Sequence, residues 1–387
     1  MTTFSKRSTV CTTPNAIAVA LEELRKEQVS VLDLTMSNPT RALLARKGNA
    51  ILKAFHRKAN LRYDPAPLGI PRARQAVASD YVKHGIELPA ERVVLTASTS
   101  EAYSFLFKVL CDPGDQVLVP CPSYPLFEWL ARGDSVELVP YRLVYDGTWH
   151  IDFASLEAAI GPKTKAMILV NPNNPTGSYV KASELQRVAS YGLPVISDEV
   201  FGRYAFRPET EPGTTALALE DALVFVLGGL SKQAGLPQMK LAWIALGGPE
   251  RLVGPALERL EMLGDTFLSV GTPVQHALRK LLVLEKGNGL RAQTRYNLAW
   301  LEKQVAGTAV TLLRAEGGWS AVLRLPRVHS DEAWALLFLK EDQVLVHPGF
   351  FFDFEDDGYV VVSLLPCELE FQEGIRRLLA RVQLSIS

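Results

Sequence analysis

The chain is predicted to be α/β, with a mostly parallel sheet in its larger part and a smaller α+β region after it. Three observations carry this. Short apolar runs of strand length alternate with helix-like segments up to about residue 280. Each run ends in a polar, turn-rich loop, the end at which open sheets of this kind take ligands. Beyond residue 280 the alternation gives way to a helical stretch, two strands and a last amphipathic helix. At 387 residues the chain is long enough for two or more domains.

Composition narrows the class. Apolar residues make up 48% and charged residues 21%, as in an ordinary soluble protein. A formal net charge of −1 carries no nucleic-acid or membrane signal, and no apolar run approaches bilayer length. The basic start Lys6-Arg7 is not followed by an apolar core, so no signal peptide is expected. The four cysteines, Cys11, Cys111, Cys121 and Cys367, are scattered, and the six histidines form no His-x-x-x-His pair. No residue is therefore assigned to a metal, and a reducing cytoplasm is the expected location.

In chain order, Thr13-Pro14 reads as the start of a helix with Ile17, Val19, Leu21 and Leu24 as an imperfect stripe. Residues 29–34 read as a strand entering the loop Ser37-Asn38-Pro39-Thr40. A rigid turn from Tyr63 to Gly69 precedes a helix from Pro71 to Tyr81. Four strand–loop units follow. Val93-Val94-Leu95 meets Ser98-Thr99-Ser100, and residues 116–119 meet Pro122-Ser123-Tyr124-Pro125. Residues 166–170 meet Asn174-Pro175-Thr176-Gly177, and residues 194–197 meet Asp198-Glu199. Further on, residues 310–313 and 320–325 read as strands. Ser330 reads as a helix cap, and Phe371, Ile375, Leu378, Leu379 and Val382 form one helical face.

Lys232 lies between two of the buried-looking runs, Leu223 to Leu227 and Leu241 to Leu246. A lysine at the end of a covered strand is partly desolvated, which lowers its pKa. A neutral amine can condense with a carbonyl as a Schiff base. Taken alone, the stretch is better read as a solvated lysine in a glycine-rich turn.

The segments together change that balance. Asn174-Pro175-Thr176-Gly177, Asp198-Glu199-Val200, Ser231-Lys232 with Gly235-Leu236-Pro237, and Pro122-Ser123-Tyr124-Pro125 are weak singly. In this order and spacing the chain resembles the class I/II aminotransferases, fold type I enzymes that use pyridoxal 5′-phosphate. The resemblance implies an aspartate-aminotransferase-like fold with a mostly parallel, seven-stranded sheet. It implies a large cofactor-binding domain over residues 45–280, and a small domain from residues 1–44 and 281–387. Lys232 would form the Schiff base and then act as general base and acid. Asp198 would hold the pyridine nitrogen protonated, so that the ring serves as an electron sink. Asn174 would donate to the ring's phenolic oxygen and Tyr124 would stack on the ring. Ser98, Thr99, Ser100 and Ser231 would hold the phosphate, and Tyr63 would reach that of a neighbouring subunit, implying a homodimer with composite sites.

Four departures from the family's pattern are visible. Phe201 stands where a tyrosine usually donates to the phenolic oxygen, and its loss is expected to raise the pKa of the Schiff base. Gly229 replaces a serine. Lys240 replaces a phosphate-binding arginine and keeps the charge without the planar fork. Within Gly358-Tyr359-Val360-Val361-Val362-Ser363, Val361 takes the place of the arginine that grips the substrate carboxylate. Three explanations stand open: a relocated arginine, with Arg203 ahead of Arg41 and Arg324; amides and hydroxyls near Ser37 and Asn38; or a substrate without a carboxylate there. Trp319 and Phe350-Phe351-Phe352 are candidates for the side-chain pocket, with core packing as the plainer reading for at least two of the phenylalanines. The expected activity is amino transfer from an amino acid to a 2-oxo acid by a ping-pong route. A lyase, racemase or oxidase reaction with the same cofactor is the alternative. A third reading, a regulator that holds the cofactor without turnover, is opposed by the presence of Lys232, Asp198 and Asn174.

Overall fold

Aliphatic and β-branched runs, buried on both faces, form the central sheet. The computed structural model describes residues 4–9, 13–208, 213–284 and 289–387; Cys11 lies outside them. In chain order the strands are β1 (Leu32–Asp33), β2 (Val93–Thr96), β3 (Gln116–Cys121), β4 (Glu137–Tyr145), β5 (Trp149–Ile151), β6 (Thr164–Val170) and β7 (Val195–Asp198). They continue as β8 (Val224–Gly229), β9 (Ala242–Gly247), β10 (Thr311–Leu312), β11 (Ser320–Arg324), β12 (Val344–Leu345), β13 (His347–Pro348) and β14 (Tyr359–Ser363). The large sheet runs β2-β9-β8-β7-β6-β3-β4-β5. Pairing from β8 through β4 is parallel, whereas β9 is antiparallel to both of its neighbours. The sheet has eight strands, because the three-residue β5 hairpins onto β4 and extends the edge by one more than expected.

Both faces of this sheet are covered. One carries Val93, Leu95, Leu118, Met167, Leu169, Val195, Val224 and Val226 under the helices Pro71–Val82 and Thr272–Leu284. The other carries Val94, Val117, Ile168, Ile196, Phe225 and Leu227 under Thr99–Leu110 and Glu250–Phe267. The opposite allegiance of consecutive residues is the strand period of two.

The antiparallel sheet β10-β11-β14-β13 forms a separate layer with the helices Asp331–Asp342 and Glu368–Ile386. Trp334, Phe338 and Phe371 are fully buried there. The N-terminal segment joins it: β1 pairs parallel with β12, and Ile17 and Ala20 pack into the same core. Ser330 caps its helix as expected. The first helix starts at Ala16 rather than Pro14, because the Asn15 side chain accepts the Ala18 amide at 2.8 Å and is the cap. Val19 is 44% exposed and off the apolar stripe. Phe352 is buried and Phe351 packs beside it, while Phe350 is 44% exposed.

Candidate active site

The site lies where the parallel strands end. Asp198 is the last residue of β7. Its carboxylate accepts from the Tyr103 hydroxyl at 3.1 Å and from the Val200 amide at 3.2 Å. Burial raises its pKa to about 6, while these two donors and the Lys232 charge pull the other way. A carboxylate kept desolvated at a strand end, and only partly compensated, suits a cationic partner.

Lys232 sits on the short helix Leu230–Gln233 directly after β8. Burial pushes its pKa down and Asp198 partly restores it. Its ammonium lies 4.9 Å from the centre of the Trp319 ring and 5.6 Å from that of Phe201. Those two rings and Tyr204 form a mutual edge-to-face trio with 5.2 to 6.2 Å between centres. The Tyr204 hydroxyl donates to the Lys232 carbonyl at 2.8 Å. Gly228 admits the neighbouring Trp243, since a Cβ there would come within 2.5 Å of the indole nitrogen.

The helix Thr99–Leu110 begins beside this pair. Ser98 caps it by accepting from the Glu101 amide, and Glu101 reaches back to the Ala97 amide at 2.7 Å. The first-turn amides of Thr99 and Ser100 have no intrahelical acceptor, as at any helix start. Tyr103, one turn after Thr99 on the same helical face, brings its hydroxyl to Asp198. Burial and Asp198 hold that phenol well above its ordinary pKa, so it remains a donor.

The other predicted residues divide into two groups. Asn174 is drawn in by Ser320 at the start of β11, whose hydroxyl donates to its Oδ1 at 3.3 Å. Tyr124 is 44% exposed, and partial burial, with the Asp198 charge second, raises the pKa of its phenol. Ser231 is half-buried beside Lys232. Tyr63, by contrast, is 81% exposed. Lys240 is exposed in a left-handed conformation. Asn38 is exposed with its carbonyl oxygen taken up by Thr40. Arg203 turns to Asp80 at 3.2 Å, and Gln233, next to Lys232, donates to the same carboxylate at 2.9 Å. Val361 is 2% exposed and packs in an apolar cluster with Trp149, Leu313, Val322 and Phe352.

Tyr103, Ser320 and the Asp80 anchor escape sequence reasoning. Only Tyr103 leaves a trace there, four residues from Thr99. Among the described residues no group of three His, Cys, Asp or Glu side chains is arranged to hold a metal, and no helix is long and apolar enough to cross a membrane.

A buried strand-end carboxylate, a desolvated amine near it and a helix start together make a donor set that fits a phosphorylated, cationic heterocycle such as pyridoxal phosphate. The sequence profile of the aminotransferase class I and II family matches residues 29–366, and the chain belongs to that family. It is a pyridoxal 5′-phosphate-dependent aminotransferase that moves an amino group from an amino acid to a 2-oxo acid. It is 28% identical over 332 residues to the glutamate-pyruvate aminotransferase AlaA of Haemophilus influenzae, covering 80% of each chain. It is 29% identical to an alanine aminotransferase of Mycobacterium bovis, covering 80% of this chain and 76% of that one. Among solved structures, an alanine aminotransferase from Pyrococcus furiosus superposes with a TM-score of 0.87 at 24% identity, over 98% of this chain and all of that one. A Thermus thermophilus aspartate aminotransferase variant gives 0.84 at 23%, over 99% of this chain and all of that one. These two show the fold alone.

Proposed function

We propose that the chain transfers amino groups among small amino acids and 2-oxo acids, with alanine and glutamate as the first donors to test, because relatives named for them align over most of the chain. The observation that carries the assignment of roles is the Lys232 amine, desolvated and facing the Asp198 carboxylate across two strand ends. Pyridoxal phosphate, when bound, supplies the carbonyl and the electron sink. Asp198 holds a proton on the ring nitrogen, and Tyr103 and the Val200 amide hold Asp198. Lys232 would take the substrate's α-proton and deliver it to the cofactor's former carbonyl carbon, on the far side of the shared nitrogen, its neutral form being favoured by burial. Thr99 and Ser100 amides, with Ser98 and Ser231, receive the phosphate. Lys240 adds charge from the rim. Asn174, steered by Ser320, donates to the phenolic oxygen, Tyr124 covers the ring, and Phe201 leaves that oxygen one donor fewer.

Arg203, engaged by Asp80, holds the lysine turn rather than substrate. The carboxylate instead meets Asn38 and the Trp319 indole N–H, which is buried without an acceptor. The Met36 carbonyl is tied to the Ser363 hydroxyl at 2.6 Å, which keeps this segment beside Trp319. Arg324 ends β11 four residues beyond Ser320, about 13 Å away along an extended strand. The chain works as a homodimer in the cytoplasm, Tyr63 facing the partner's site, with residues 45–280 as the cofactor domain and 1–44 with 281–387 as the small one.

With alanine and 2-oxoglutarate, pyruvate and glutamate should appear in equal amounts. Ammonia or pyruvate released without an acceptor would replace amino transfer by a lyase reaction. Borohydride should tie the cofactor covalently to the natural protein and not to Lys232→Ala. Retention of covalent cofactor by that variant, seen by mass spectrometry, would remove Lys232 from its role.

A further inference from the structure

A second concavity lies on the outer side of the large sheet's helical layer, between the helices Pro71–Val82 and Thr272–Leu284. Its volume is about 480 Å³, within the range of small-molecule sites. Arg72, Gln75 and Ser79 recur at helical spacing along the first helix, with Lys83 one turn further on. His276 and Arg279 face them from the second, and Arg57 closes one end. Ala76 and Leu282, both buried, form an apolar floor.

Two features separate this hollow from an ordinary solvated face. Among the described residues, no acidic side chain lines it. Arg57, Arg72, Lys83 and Arg279 have no ion-pair partner among the described residues, as is true of some other surface cations such as Arg251 and Arg259, but here four such cations share one concavity. The chain as a whole is balanced, with 41 basic and 42 acidic residues, so the clustering is local. Like charges gathered without counter-charges raise the free energy of the fold unless an anion relieves them. Guanidinium groups around a bounded concavity suit phosphate or carboxylate oxygens through paired, charge-assisted hydrogen bonds.

We propose that this groove binds a small polyanion, a molecule with two or more phosphate or carboxylate groups, at a site separate from the lysine and its cofactor. The bounded, floored shape favours a small molecule over a nucleic-acid strand, which needs an open, tracking groove with stacking aromatics.

Calorimetric titration of the pyridoxal-phosphate-loaded protein tests this, since the cofactor's own phosphate then fills its cradle. Pyrophosphate and citrate serve as probes. Saturable binding of either at millimolar concentration or below is expected, and the tighter of the two identifies the anionic group. Arg72→Gln and Arg279→Gln should each weaken it by about tenfold or more, and Arg327→Gln, far from the groove, should not. Several outcomes would overturn the proposal: no saturable binding of either probe, binding indifferent to Arg72 and Arg279, or tighter binding of a single-stranded oligonucleotide than of both probes. A change of oligomeric state in the ligand-free Arg72→Gln or Arg279→Gln protein, seen by sedimentation, would assign the groove to a subunit contact instead and equally overturn it.

Discussion

Asp198 is the residue on which the electrostatics turn. Burial raises its pKa to about 6, so the fold without cofactor tolerates the protonated acid and disfavours the carboxylate. The sign follows by linkage. Its contribution to stability is fully present below the ordinary carboxylate range and is lost as pH rises through 6. Asp198→Asn should therefore stabilise the cofactor-free protein relative to the natural one by on the order of 2–3 kcal/mol more above pH 6 than near pH 4. Paired denaturant titrations at the two pH values check this, and an equal difference at both would remove the carboxyl as the source. Lys232, Asp198 and Asn174 are legible in the sequence because each follows a strand-like run into a polar loop, which assigns it to one edge of the sheet. Tyr103 is not, because a helix presents many faces and only packing decides which one meets Asp198.

At the scale of elements, the turn that carries Lys232 is fastened from outside the site. Asp80, buried on the helix Pro71–Val82, accepts from Gln233 and from Arg203. Asp80→Ala would leave a half-buried guanidinium unpaired, a change that typically costs about 3–5 kcal/mol. It should also loosen the cofactor, because Gln233 adjoins Lys232. Denaturant midpoints with and without cofactor, together with cofactor affinity, measure both effects, and unchanged affinity would confine Asp80 to stability. Periodicity marks this helix well enough, but it cannot show that an aspartate on its buried side answers an arginine so far away in sequence. The first helix and β5 show the same limit at smaller cost. Asn15, not Thr13, caps the helix because its carbonyl oxygen reaches the Ala18 amide. The short β5 exists because a hairpin brings it to β4.

For the whole molecule, the proposed dimer makes a separate demand. Tyr63 is 81% exposed in the single chain. If it completes the partner's site, mixing Tyr63→Ala chains with Lys232→Ala chains should restore activity that neither has at full strength alone, because one composite site in the hybrid then carries both natural residues. No gain after subunit exchange would place Tyr63 outside the reaction. Assembly also bears on how the carboxylate is held, since Val361 is buried among apolar side chains and Arg203 is committed to Asp80.

By itself, the amino-acid order determined the strand–loop alternation, the polar loops at strand ends, and the motifs that mark the family. These follow from local periodicity and from short spacings along one stretch of chain. Only the tertiary structure decided that Tyr103 supports Asp198, that Ser320 meets Asn174, that Trp319 and Phe201 flank the lysine, and that cations with no ion pair among the described residues gather between two helices. Each of these joins residues far apart in sequence, and such contacts are set by how faces pack, which no local pattern records.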